Sequence, residues 1–398
     1  LQDVYPGEIY LGASSNRNEG LFLAICSSVP IRLISISSTA IRGKNAFIKH
    51  LSLSHSQLAR QGEGHYAAFS LVIYARSKFV RALTRVVGLY TLFHRHISSC
   101  DTVCFYNFTP SYIPLIFACR LIGKQIVFQI EDSYSKNFIQ KRCQCISFCI
   151  AKGKYLIPSL NIATAARLAN YTVAPVLPSR SSLAALNNGF DYNKWDALEY
   201  NIIYGGSIDA DTGFLTLRDA LLLLHDQLEK LDHNKAVNAR KVHLFVTGPP
   251  SSTGQLPDLD KKNFCSLLEV TQTGCLSHSS YVALLSRCHF VLSLKAPDTF
   301  YGDTTFPSKV VEACSFSACV IGNKLAPVMS LLRGNGGLFL SESSYRALAN
   351  IFMEIIEGRD DLAELAWRGF TAIEKEHARS RHALLDLFSS FQIDSSPN

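Results

Sequence analysis

Short β-like runs alternate with helical stretches through the first half of this chain, stop at a turn-rich break, and then begin again. That alternation constrains the fold more than any other feature. Parallel strands need long crossovers between them, and helices are the usual crossovers, so the pattern predicts parallel sheets flanked by helices. In the first half Glu8 to Gly12 reads as a strand, Ala13 to Gly20 as a polar loop, Leu21 to Ser27 as a helix and Ile31 to Ile36 as a second strand. Further strands are expected at Thr102 to Tyr106, Gln125 to Ile130 and Tyr171 to Ala174, with a helix over Ile113 to Ile122. The break lies at residues 188–200, rich in Asn, Gly and Asp, and is read as a linker. Beyond it, strands are expected at Asn201 to Tyr204, Val242 to Thr247, near Phe264 to Val270, at Phe290 to Leu294 and at Ala318 to Gly322. Helices are expected at Leu215 to Leu231 and Pro307 to Phe316.

A length of 398 residues suits two domains, and 47% hydrophobic with 18% charged residues suits two packed cores. The division expected is residues 1–187, a linker at 188–200, residues 201–342, and C-terminal helices over 343–398 that cross back to the first domain. The longest apolar stretch, Tyr112 to Ile130, is interrupted by Arg120 and Lys124, which argues against a spanning helix. Leu1-Gln2-Asp3 is not the basic entry to a secretory signal, and the expectation is a cytoplasmic protein. The 12 cysteines have no regular spacing and read as reduced thiols; Cys143, Cys145 and Cys149 read as packing, not as metal ligands.

The residues with the clearest chemistry are Phe306-Pro307-Ser308-Lys309-Val310-Val311-Glu312. Pro307 suits a first helical turn, where its missing N–H has no intrahelical partner. Unpaired amides at that helix start, with Ser308 and Lys309 beside them, suit a diphosphate. Glu312, about one turn on, can accept two hydrogen bonds from a ribose diol. An ordinary helix start with a solvated lysine is the plainer alternative.

Several motifs in order then resemble a known family. Ile202-Ile-Tyr-Gly-Gly-Ser207 with Gly213, Leu244-Phe-Val-Thr-Gly248, Gly274 to Tyr281, Cys288 to Ser293, the Pro307-Lys309-Glu312 motif and Ala318 to Gly322 resemble the nucleotide-sugar domain of family 4 ("group 1") glycosyltransferases of bacterial surface-polysaccharide type. Asn188-Gly189-Phe190-Asp191 is similar to that family's linker. The resemblance implies an α/β GT-B fold, two doubly wound Rossmann-like domains facing a cleft. It implies a nucleotide-diphosphate sugar as donor substrate, no cofactor, no obligatory metal and a retaining outcome. The resemblance implies that Glu312 holds the ribose and that Gly205-Gly206 lies against the donor phosphates; with the residues around them the donor site expected is Gly205, Gly206, Ser207, Gly248, Asp303, Thr304, Ser308, Lys309 and Glu312. Departures accompany the matches. The family commonly has a second glutamate where Thr304 stands, with Asp303 adjacent, and an Arg and a Lys where this chain has Ser207 and Thr212. Lys309 and Lys295 are the cations left to take over.

The first half carries the acceptor side. Asp132, in Ile130-Glu131-Asp132-Ser133 at a strand's carboxyl end, suits a general base toward an acceptor hydroxyl, a residue that orients the acceptor if the outcome is retaining, or a cap for the next helix. Gly12 and Asn16 belong to the loop that faces the cleft in this fold. Residues 1–199 hold 21 basic and 10 acidic side chains, against 18 and 22 in the remainder. No Asp or Glu occurs from Gly64 to Cys100 or from Ser133 to Phe190. Lys78, Arg81 and Arg85 share one helical face, and Lys136, Lys141, Arg142, Lys152 and Lys154 mix with Phe138, Phe148 and Tyr155. Such segments suit an anionic membrane surface, with the protein peripheral on the inner face of the cytoplasmic membrane. Nucleic acid is the weaker alternative, since no recognised module for it is present, and a plain solvated face is the other.

The function expected is transfer of a sugar from a nucleotide-diphosphate donor to a glycan or lipid-linked acceptor in polysaccharide biosynthesis. The alternatives are a non-catalytic nucleotide-sugar-binding subunit and a GT-B-fold nucleotide-sugar epimerase.

Overall fold

The computed structural model describes the backbone of three early strands, isolated helical positions such as Leu21 and Ala24, and most residues from Thr102 to Ile393; the segments 132–137, 231–238, 249–265 and 298–307 and several single positions are outside the description. The chain forms two compact units, an N-terminal one that comprises residues 16–177 together with 379–398, the end of the last helix, and a C-terminal one over Pro178–Ala378.

The N-terminal unit holds two sheets. Strands β1 (Arg32–Ile41), β2 (Phe47–Leu53) and β3 (His65–Tyr74) form the first in the order β1-β3-β2, with β1 parallel and β2 antiparallel to β3. Strands β4 (Thr102–Tyr106), β5 (Gln125–Gln129), β6 (Lys154–Ile157) and β7 (Tyr171–Val173) form the second, all parallel and in sequence order. Their crossovers are α1 (Ile113–Leu121), α2 (Phe138–Ala151) and α3 (Leu160–Ala166). Three right-handed crossovers between neighbouring strands put all three helices on one face of the sheet. The core shows this: Phe105, Phe128, Ile130, Tyr155 and Ile157 pack with Leu115, Ile116 and Cys119 of α1, Ala151 of α2 and Ile162 of α3. The opposite face, from Val127 and Leu156, is covered by Leu21, Ala24, Leu384 and Leu387. Those last two come from the end of a 32-residue C-terminal helix, and Ser380 of that helix accepts a hydrogen bond from Val176 N at 3.2 Å.

Two readings of the sequence are corrected in this unit. Phe148 and Tyr155 are not surface aromatics beside lysines. Their rings pack against Phe128, with centroids 4.8 and 5.7 Å away, inside the core. Cys145 and Cys149, expected to pack, are exposed, because the helix turns its Ser147 and Ala151 side inward instead.

The C-terminal unit is a six-stranded parallel sheet with the order β10-β9-β8-β11-β12-β13. The strands are β8 (Glu199–Gly205), β9 (Lys241–Thr247), β10 (Leu268–Gly274), β11 (Phe290–Ser293), β12 (Cys319–Gly322) and β13 (Gly337–Phe339). After α4 (Arg180–Asn187), the helices are α5 (Phe214–Leu228), α6 (His278–Arg287), α7 (Ser308–Ser315), α8 (Ala326–Leu331), α9 (Tyr345–Ile356) and α10 (Leu362–Ile393). Strand positions divide by parity, as a sheet covered on both faces requires. Ile202 and Tyr204 of β8 join the cluster of Leu217, Leu221 and Leu224 from α5 and Phe352 and Ile355 from α9. On the other face α7 packs against β11 and β12.

The turn-rich stretch is tied to this unit by bonds that span much of the chain. Trp195 donates from Nε1 to Ser317 O at 3.1 Å, and Lys194 Nζ donates to Phe316 O at 2.9 Å. His289, 3% exposed, accepts at Nδ1 from Asn201 N (2.9 Å), so its proton sits on Nε2 and is donated to Lys194 O (2.7 Å). Burial, with Lys194 and Arg240 nearby, lowers the His289 pKa to about 4.

Candidate functional site

The strand order reverses between β8 and β11, the topological switch point at which open parallel sheets bind ligands beyond their carboxyl ends. The described candidates Gly205, Gly206, Gly248, Ser308, Lys309 and Glu312 gather at that end of the C-terminal sheet. The strand ends are laced together there: Gly206 N donates to Thr247 O (3.1 Å), Gly248 N to Gly274 O (2.9 Å), and Thr247 Oγ1 to Gly274 O (3.1 Å).

The glycines are needed for two separate reasons. Gly206 has φ +121° and Gly248 φ +140°, backbone conformations that side-chain-bearing residues rarely adopt. A β-carbon on Gly248 would also collide with the Gly206 carbonyl, so the two turns nest backbone against backbone. A β-carbon on Gly206 would meet something different, the Lys309 ammonium at 2.5 Å and its Cε at 3.3 Å. The missing side chain at Gly206 therefore leaves the space that the lysine head occupies.

Lys309 comes from the first turn of α7 and lays Nζ 5.8 Å from the centroid of the Tyr204 ring. A ring face attracts a cation, and Tyr204 is itself held, with its hydroxyl 2.6 Å from Thr212 Oγ1. Thr212, standing where a family cation was expected, thus serves to fix the ring under Lys309. Ser308 and Lys309 begin the helix, and first-turn amides lack intrahelical acceptors. A fixed cation and such amides together suit an anionic group with several oxygens.

Glu312 lies one turn along α7 from Lys309, and Tyr281 of α6 donates to its Oε2 at 3.5 Å. Tyr281 also lies against Gly205, where a β-carbon would be 3.2 Å from its Cε2. Ser277 sets the start of α6 by accepting from Ser280 N at 3.1 Å, which fixes the turn that carries Tyr281. The sequence motif from Gly274 to Tyr281 signalled this segment; Tyr281 was missed as a site residue because its partners are distant along the chain. Asn323 was missed as well. Buried after β12, it donates from Nδ2 to Leu294 O (3.0 Å) and Lys295 O (2.9 Å), holding the chain where it leaves β11. Its only sequence signal was its position one residue after a strand-ending glycine.

Ser207, Asp303, Thr304, Asp132, Gly12 and Asn16 lie outside the described residues.

Neither the family models nor the curated proteins compared with this chain gave a match. Solved structures did. Sucrose-phosphate synthase from Thermosynechococcus elongatus superposes with a TM-score of 0.61 at 13% identity, covering 95% of this chain and 92% of its own. Trehalose-6-phosphate synthase OtsA gives 0.60 at 12% identity, covering 96% and 95%. HepE of Anabaena, crystallised with UDP, gives 0.53 at 16% identity, covering 84% and 88%. These are GT-B proteins, and the likeness shows that the chain has that fold.

Proposed function

We propose that this protein is a glycosyltransferase that takes its sugar from a nucleoside-diphosphate donor bound at the carboxyl end of the C-terminal sheet. The observation that carries the reading is the side-chain-free pocket at Gly206 into which Lys309 reaches, with Glu312 one turn further along the same helix. The fold is shared with HepE, whose crystals contain UDP. The donor diphosphate is assigned to Lys309, Ser308 and the Gly205-Gly206 turn, and the ribose to Glu312.

In the transfer, the bond between the anomeric carbon and the diphosphate oxygen breaks, a bond from that carbon to an acceptor hydroxyl oxygen forms, and the hydroxyl proton passes to a base. Negative charge grows on the departing diphosphate. Lys309 neutralises it where it develops, which favours the transition state over the ground state. Asp132, which follows Glu131 in the sequence, is our candidate for the base or, with retention, for the residue that orients the acceptor, and the sugar hydroxyls are assigned to Asp303 and Thr304. The acceptor proposed is a glycan or lipid-linked sugar of polysaccharide biosynthesis, met by a peripheral protein at a membrane, with retention at the anomeric carbon and no metal.

Thermal-shift and calorimetric titration with UDP-, GDP-, ADP- and TDP-sugars tests the donor site. One nucleotide is expected to bind, with affinity lowered at least tenfold by Lys309→Ala and by Glu312→Ala, about the worth of one charge-assisted hydrogen bond. Binding untouched by both substitutions puts the site elsewhere. Asp132→Asn is expected to abolish turnover and leave donor affinity intact. The occupation of Thr212 by Tyr204 specifically favours a second reading, a nucleotide-sugar-binding subunit without catalysis; donor binding with neither transfer nor hydrolysis identifies it.

A further inference from the structure

The helices α1, α2 and α3 of the N-terminal unit cover one face of its parallel sheet, and their outer sides carry an unusual set of residues. On α1 the inward positions are Leu115, Ile116 and Cys119, and the opposite side exposes Phe117 (52%) and Leu121 (73%). On α2 the inward positions include Ser147 and Ala151, and Ile146 (58%) lies outward with Arg142, Cys145 and Cys149. Ile122 just after α1 and Leu160 at the start of α3 are exposed too. Large aliphatic or aromatic side chains thus stand exposed on each of the three helices of this layer, with Phe117 and Leu121 one turn apart on α1.

The charge of this layer is one-sided. Between Thr102 and Phe190 the only acidic residues are Glu131 and Asp132, beyond the carboxyl end of β5, and the three helices contain none. Arg120 and Arg142 are exposed on the same helices as the apolar side chains, and Lys152 follows α2. Exposed apolar side chains on helices that also expose cations and carry no acidic residue match one kind of partner: a surface that is negatively charged at its polar layer and apolar just beneath. Among the described residues no helix is long and apolar enough to cross a membrane.

We infer that the outer face of α1, α2 and α3 is a docking surface for an anionic phospholipid bilayer. This assigns the peripheral association proposed above to a surface, and it moves that surface. Phe148 and Tyr155, which first suggested it, are core residues. The side chains that enter the lipid are Phe117, Leu121 and Ile146, while Arg120 and Arg142 meet the headgroups.

Co-sedimentation with vesicles of phosphatidylcholine alone and of phosphatidylcholine with phosphatidylglycerol tests it. The parent protein is expected to bind the anionic vesicles and to bind the neutral ones much more weakly. Arg120→Gln with Arg142→Gln lowers the binding constant about 30-fold, and the loss shrinks at high salt. Phe117→Ser with Leu121→Ser lowers it by at least tenfold at any salt concentration. These positions are exposed, so melting temperature and binding of the nucleotide sugar identified by the panel above are expected to stay at parental values. That separates failure of the docking surface from failure of the donor site. Anionic-vesicle binding that survives both pairs overturns the inference. So does binding of single-stranded RNA or of a protein partner that both pairs abolish while vesicles are ignored.

Discussion

Replacing Gly206 by alanine is the most direct perturbation of the proposed donor site, because the new β-carbon arrives 2.5 Å from the Lys309 ammonium. An ordinary contact needs about 1 Å more, so one of the two must move. The obstructed atoms are the end of a flexible side chain, and Lys309 therefore retracts while the backbone stays. Its contribution to a bound diphosphate, about 1.5–3 kcal/mol for a charge-assisted hydrogen bond, is lost. That corresponds to nucleotide affinity roughly 10- to 150-fold weaker. At φ +121° alanine also adds strain on the order of 1–2 kcal/mol to the fold, which lowers melting temperature by a few degrees without a ligand. Calorimetric titration of whichever nucleoside diphosphate the panel above identifies into the parent, Gly206→Ala, Lys309→Ala and the double variant separates the two effects. If the alanine acts by displacing the lysine, the double variant binds about as weakly as Lys309→Ala alone, and the coupling energy is about 1.5–3 kcal/mol. Additive losses would refute the reasoning, as would unchanged affinity in Gly206→Ala.

Gly248→Ala is expected to act on the fold instead, since its β-carbon meets the Gly206 backbone, which cannot rotate away; a loss of several kcal/mol in urea unfolding checks this. Tyr281→Phe removes a long hydrogen bond to Glu312, so the expected drop in nucleotide affinity is under tenfold, with stability nearly unchanged. Trp195→Ala is expected to cost about 3–5 kcal/mol, because a 6%-exposed ring that anchors the linker to Ser317 O is lost. The folded His289 has a pKa of about 4, below its unfolded value of about 6.5. The unfolded chain therefore takes up a proton first as pH falls, and this contribution, full above pH 6.5, is lost between about 6.5 and 4. The unfolding free energy from urea titration is expected to fall across that window by up to about 3 kcal/mol, and a His289→Gln variant is expected to lack that share of the slope.

Local pattern was enough for most of the strands. Runs such as Ile202-Ile-Tyr and Val242 to Thr247 announce themselves by β-branched and aromatic content, and Lys309 and Glu312 stood out because a helix start after a strand suits phosphate binding. Four strands were not picked out: Lys154–Ile157 and Gly337–Phe339, which are too short to set a period, and Phe47–Leu53 and His65–Tyr74, whose length shows that local pattern alone also passes over longer strands. Period also fails to tell an aromatic in the core from one on the surface when lysines lie beside both, as at Phe148 and Tyr155.

The sequence by itself determined the α/β alternation, the glycine turn at Gly205-Gly206 and the residue types at the start of α7, all of which depend on neighbours within a few positions. Only the tertiary structure decided what those residues meet. Tyr281 reaches Glu312 across 31 residues, and Gly248 must be glycine because of the Gly206 carbonyl. The physical reason is the strand order. β8 lies between β9 and β11, so the ends of segments far apart in the chain become neighbours, and no local periodicity encodes that order.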